Sequence, residues 1–132
     1  MCIRDSRCEV EVEGRYRDLY DQAGLMVRLD ETTWLKCGIE LLEGVQQMSA
    51  VVTRDFSDWS VVPLPQAPPT VLVRVTRHQG TLEVHCGPSD APLTLLRQAF
   101  LTDAPTVRVG PMCASPTGGG FEVRFRSFRI QG

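Results

Sequence analysis

Three glutamates, Glu9, Glu11 and Glu13, occupy alternate positions in Cys8-Glu9-Val10-Glu11-Val12-Glu13. In an extended strand, residues two apart point to the same side, roughly 6.6–6.8 Å from each other along the backbone. A retaining glycosidase needs two carboxyl groups about 5–5.5 Å apart, one as nucleophile and one as acid/base. Side chains on such a strand could reach that geometry, so Glu11 with Glu9 or Glu13 is a weak candidate for glycan hydrolysis. The competing reading, which is favoured, is a solvated strand face whose charges discourage edge pairing. A second chemistry belongs to the two tryptophans, Trp34 and Trp59. Sugar rings stack on aromatic faces, and a rigid ring costs little ordering entropy. Trp34 lies in an apolar run and reads as a core residue. Trp59 stands between Asp58 and Ser60 beside a proline-rich loop, and both readings stay open for it.

Other chemistries are poorly served. His78 borders the Gln79-Gly80 turn and His85 alternates with Val84 and Cys86, so both are expected to face water. Neither has an evident nucleophile partner, and Ser60 and Ser115 lack an elbow motif. Gly118-Gly119-Gly120 has no following Lys-Ser/Thr and no helix, which makes it a flexible connection rather than a phosphate loop. The five cysteines, Cys2, Cys8, Cys37, Cys86 and Cys113, form no C-x-x-C pair. Zinc and redox chemistry are therefore weak readings, and no metal or cofactor is expected. Cys37, Cys86 and Cys113 sit in strand-like runs and read as small, reduced, buried hydrophobes, which fits a cytoplasmic protein.

The elements that would position these residues are strands throughout. Leu25, Val27 and Leu29 alternate and close at Asp30-Glu31; residues 33–42 are rich in aromatic and branched side chains. Glu43-Gly44 is a predicted tight turn, with 46–53 as the returning strand. Residues 57–62 form a short run stopped by Pro63 and Pro65. Val71, Val73 and Val75 alternate, Gln79-Gly80 turns the chain, and Leu82, Val84 and Cys86 alternate on return, the clearest hairpin. Residues 93–101 are apolar without a clean period. Residues 107–113 are a further strand. Phe121, Val123 and Phe125 face one way, then Phe128 and Ile130 shift phase, which predicts a bulge near Ser127. Short alternating strands with turn chemistry between them mean an antiparallel sandwich or barrel, one face packed and one wet.

Length and charge narrow the classes further. A chain of 132 residues favours one domain. Hydrophobic residues at 42% and charged residues at 23% suit a globular protein with its own core. A net charge of −2 with scattered arginines argues against a nucleic-acid partner, and no apolar run is long enough to imply a membrane partner. Met1-Cys2-Ile3-Arg4-Asp5-Ser6 matches what a common sequencing-transposon end encodes when read as an open frame. Residues 1–6 are thus read as an adaptor artefact, and 7–132 as one N-terminally truncated β-sandwich domain.

Four stretches are distinctive. They are Tyr20-Asp21-Gln22-Ala23-Gly24-Leu25-Met26-Val27-Arg28 with Trp34-Leu35-Lys36-Cys37-Gly38-Ile39-Glu40, Ser49-Ala50-Val51-Val52-Thr53 with Ser57-Asp58-Trp59-Ser60, residues 108–116, and Gly120-Phe121-Glu122-Val123. In this order they resemble a domain-of-unknown-function family labelled "regulation of enolase protein"-like, over nearly all of 8–130. The resemblance implies the concanavalin A-like lectin/glucanase fold, a jelly-roll sandwich, and family members with several more strands ahead of Cys8. Similar strands occur in the C-terminal sandwich domains of some β-xylosidases. Glucanases on this fold carry catalytic acids in an alternating pattern with a central Asp and neighbouring aromatics; this chain has neither beside Glu9, Glu11 and Glu13. Asp21, Gln22, Lys36, Glu40 and Asp58 are polar residues within the family's motifs. With Trp34 and Trp59 they are the candidate ligand-binding set, against an internal polar network that would include an Asp21–Lys36 or Lys36–Glu40 ion pair. The expected function is a non-catalytic module binding a carbohydrate or small polar ligand. The alternatives are a regulatory protein–protein interaction domain and a glycan hydrolase.

Overall fold

Where apolar and polar residues alternate, turn chemistry cuts the chain into strands, and the computed structural model describes the result for residues 2, 3 and 5–132. The strands are β1 (Cys2–Ile3), β2 (Arg7–Gly14), β3 (Gln22–Asp30), β4 (Thr33–Leu42), β5 (Val45–Arg54), β6 (Phe56–Pro63), β7 (Val71–His78), β8 (Thr81–Pro88), β9 (Thr94–Phe100), β10 (Val107–Ala114) and β11 (Val123–Gln131). They form a six-stranded sheet, β1-β10-β3-β4-β5-β6, and a five-stranded sheet, β11-β2-β7-β8-β9, with every pairing antiparallel. The reading of 1–6 as adaptor-encoded falls in part on Met1 and Arg4, outside the described residues.

The turns obey local chemistry. Glu43 (φ 50°) and Gly44 (φ 79°) both take left-handed backbone, as a two-residue hairpin turn of matching twist requires. Asp55 (φ 64°) alone reverses the chain between β5 and β6. Ser127 (φ 54°) is the bulged residue of β11, where the register with β2 shifts between Arg126 and Arg129. The bulge turns Phe128 and Ile130 to the same side as Val123 and Phe125, all packed against the core.

The core lies between the sheets. Cys8, Val10, Val12, Val71, Val73, Val75, Leu82, Val84 and Cys86 come from the five-stranded sheet. They meet Ala23, Leu25, Val27, Leu35, Cys37, Ile39, Met48, Ala50 and Val52 from the other. Each fully buried Val, Leu or Ile contributes about 1.5–3 kcal/mol relative to exposure. Two expectations about the core need correction, and one ambiguity is resolved. Leu29 does not continue the buried row of β3 but is 40% exposed, because the register with β4 shifts between Arg28 and Asp30 and lifts it out. Cys113 is exposed although its partner Ala23 is in the core, since β10 is the edge of its sheet there, β1 pairing only Val107 and Arg108. The unclear period of 93–101 is strand β9, whose register with β8 breaks between Val84 and His85.

One pair of glycines shapes the six-stranded sheet. Gly24 and Gly38 are directly opposed on β3 and β4. A Cβ on Gly24 would sit 1.8 Å from the Cys37 carbonyl oxygen, and one on Gly38 (φ 145°) 2.2 Å from that of Ala23. The backbones press together there as only glycine allows.

Candidate functional site on the outer face of the six-stranded sheet

Register places the side chains of this face in rows running across the strands. One row holds Arg108, Arg28, Trp34 and Thr53; the next holds Gly110, Met26, Lys36, Val51 and Trp59; beyond the Gly24–Gly38 pair lie Gln22, Glu40 and Gln47. From Trp34 to Glu40 is six residue steps, roughly 20 Å of strand.

Glu40 is the hub. It is buried, yet among the described residues no lysine or arginine pairs with it. The indole Nε1 of Trp59 donates to its Oε1 at 2.9 Å and the Ser49 hydroxyl donates to the same oxygen at 2.8 Å. Gln22 Nε2 reaches Oε2 at 3.5 Å and donates to the Tyr20 carbonyl at 3.0 Å. Such charge-assisted bonds hold a carboxylate more firmly than neutral ones. The Trp59 ring is thereby pinned, with the Tyr20 ring edge-on at 6.5 Å, while half of its surface (50%) stays exposed. Beside them, over the two glycines, lies a hollow of about 10 Å³ lined by Gln22, Lys36, Gly38, Glu40, Ser49 and Met112. It has room for about one water molecule.

Five of the candidate residues, Gln22, Trp34, Lys36, Glu40 and Trp59, share this face. Trp34 is not in the core; it is half-buried on the outer side because Leu35 and Cys37 take the inward positions of β4. Neither expected ion pair of Lys36 forms. Its ammonium sits 5.7 Å above the Trp34 ring, since Glu40 is taken by neutral donors. Tyr20, Ser49, Arg28 and Arg108 were not among the candidates. Strand register was the one signal that could have brought them in, and register is not visible before the strands are paired.

Asp21 and Asp58 lie elsewhere. Asp21 is fully buried and caps a turn: its Oδ2 accepts the N–H of Arg17 (3.0 Å) and Asp18 (2.9 Å), and its Oδ1 the Ser115 hydroxyl (2.5 Å). Burial opposes its charge, but the Asp18 N–H, the Ser115 hydroxyl and the Arg17 N–H outweigh that and hold the carboxyl below its usual range. Asp58 lines a cleft of about 870 Å³ between the edge strands β6 and β9, with Arg54, Phe56, Arg97, Phe100 and Asp103.

Glu9, Glu11 and Glu13 share the outer face of the five-stranded sheet, but Glu9 is not solvated. It is 5% exposed, with Arg74 Nε at 2.9 Å from Oε2 and Arg129 on Oε1. Arg126 lies 3.3 Å from Glu13. Burial would raise the Glu9 pKa; Arg74 first, then Arg129, reverse this and hold it low. A carboxyl held down in this way is poorly suited to protonate a leaving group near neutral pH. His78 is exposed at its turn, and His85 is half-buried opposite Arg74.

Residues 2–132 match a family model described as "Protein of unknown function (DUF1349)". The chain belongs to this family. A relative of this DUF1349 chain, "Regulation of enolase protein 1" of Saccharomyces cerevisiae, is 37% identical over 122 residues, 92% of this chain. The chain spans 62% of that relative's length. "Uncharacterized protein AN7484" of Emericella nidulans is 27% identical over 135 residues, covering 95% of this chain and 68% of that one. A solved structure of a functionally unknown S. cerevisiae protein superposes with a TM-score of 0.92 at 34% identity, over 99% of this chain and 71% of that one. Xylan β-1,4-xylosidase of Bacillus halodurans gives 0.83 at 16% identity, over 96% of this chain and 27% of the enzyme. The last likeness shows the fold: this DUF1349 chain is the two-layer antiparallel β-sandwich its sequence implies.

Proposed function

We propose that the outer face of the six-stranded sheet is a non-catalytic binding surface for a carbohydrate. The observation that carries this is the half-exposed Trp59 ring fixed by its Nε1 to the buried Glu40. A ring already immobilised loses little freedom when a sugar stacks on it. Lys36, half-buried in the same row as Trp59, lies close by for hydroxyl groups. Titration with oligosaccharides, followed by tryptophan emission and calorimetry, tests the reading. A saturable response that weakens about tenfold or more in Trp59→Ala is expected. A folded protein that responds to none of the sugars would sink it.

A second reading, a regulatory protein-binding domain, draws on the name of the yeast relative. It also draws on Phe56 (86% exposed), Leu95 (51%) and Phe100 (45%) along the β6 and β9 edges. Exposed apolar groups of this kind mark interaction surfaces when they are contiguous. Retention of a protein partner by the wild type and by Trp59→Ala, but not by Phe56→Ser, would favour it over the sugar reading.

A further inference from the structure

The far end of the same face carries an arrangement that packing does not explain. Arg28 and Arg108 are directly opposed across β3 and β10, both exposed. Like charges at opposed positions destabilise a sheet. Among the described residues neither makes an ion pair; Arg28 Nε donates to the Asp30 carbonyl at 3.3 Å. Trp34 is the next residue in the row, and Lys36, one row along, lies over its ring. Three cations and an indole thus adjoin one another, while Asp30 Oδ1 accepts from the Thr32 N–H and hydroxyl, and Glu40, further along the face, is turned inward to Trp59, Ser49 and Gln22. The opposite sheet is built differently, with Glu9 answered by Arg74 and Arg129 and Glu13 by Arg126.

We propose that this end binds the acid group of an anionic saccharide, the Arg28–Arg108 pair and Lys36 holding a carboxylate or phosphate while the sugar chain runs from Trp34 toward Trp59. The inference rests on the carbohydrate-binding reading of this face and specifies its ligand class. Two guanidinium groups can each offer paired N–H donors to a planar or tetrahedral oxyanion. The repulsion between them in the free protein is relieved when the anion arrives.

The test compares trigalacturonate, glucose 6-phosphate and neutral xylotriose at matched ionic strength, by calorimetry and tryptophan emission. At least one acidic ligand is expected to bind about tenfold more tightly than xylotriose; which one does so tells carboxylate from phosphate. Arg108→Gln and Arg28→Gln should each abolish most of that preference, leave xylotriose binding unchanged, and raise Tm by removing a like-charge neighbour. Equal binding of acidic and neutral ligands would overturn the inference and leave the carbohydrate reading standing. Binding of none of the three by the folded protein would overturn both. A lower Tm in both arginine variants would show that the pair is structural and overturn the inference alone.

Discussion

Asp21 and Glu40 are both buried carboxylates within family motifs, and their neighbours give them different tasks. Asp21 closes a turn through two backbone N–H groups and the Ser115 hydroxyl. Asp21→Asn is expected to cost about 1–3 kcal/mol in urea unfolding, since one amide cannot satisfy those donors equally. Its folded pKa lies below the ordinary 3.8, so its contribution is complete above that value and is lost as pH falls through the lower folded value. Wild-type stability should therefore drop more steeply than that of Asp21→Asn below about pH 4. Glu40→Gln should loosen the Trp59 indole, seen as red-shifted and less anisotropic emission of the folded protein. Sequence motifs carried these residues as one polar set. Only the direction each side chain takes from its strand separates a turn cap, a ring anchor and, in Asp58, a group at the sandwich edge. Trp34 was misjudged for the same reason: an apolar run does not say which of its alternate residues turn inward until a neighbour fixes the phase.

At the scale of the strand, turn and bulge chemistry was readable because it is local. Glu43-Gly44 and Gln79-Gly80 mark their turns by residue type, although in the second it is Gln79 (φ 56°) that takes left-handed backbone, and the phase change from Phe125 to Phe128 exposes the bulge at Ser127. Deleting Ser127 should throw Phe128 and Ile130 outward and draw Arg129 toward the core. The expected result is a loss of cooperative unfolding or a fall of several kcal/mol, read by calorimetry and hydrogen exchange of β11. The shifts at Arg28/Asp30 and Val84/His85 left no such trace, because each depends on the partner strand. The Gly24–Gly38 approach was equally hidden. Gly24→Ala would set a methyl against the Cys37 carbonyl and should cost roughly 1–3 kcal/mol or more by overpacking, measured by urea unfolding.

For the whole molecule, the two sheets bury three thiols among the described residues. Burial pushes Cys8 and Cys86 up to about 12 and Cys37 up as well. Alkylation followed by site-resolved mass spectrometry should label Cys113 in the native state and Cys8, Cys37 and Cys86 only on unfolding. Alternation alone showed short strands with one packed face, a sandwich or a barrel, and the family resemblance singled out the two layers; the character of each outer face was not legible, since it arises from residues distant in sequence. That difference between faces has a consequence at long range. On one side acids and guanidinium groups pair in place; on the other, among the described residues, Arg28, Arg108 and Lys36 make no ion pair, within a chain of net charge −2. The molecule is therefore an oriented electric object as well as a shape. A polyanion would rotate it, cationic face leading, before any atoms touched, and this alignment would fade as salt shortens the reach of the field to about 8 Å at physiological strength.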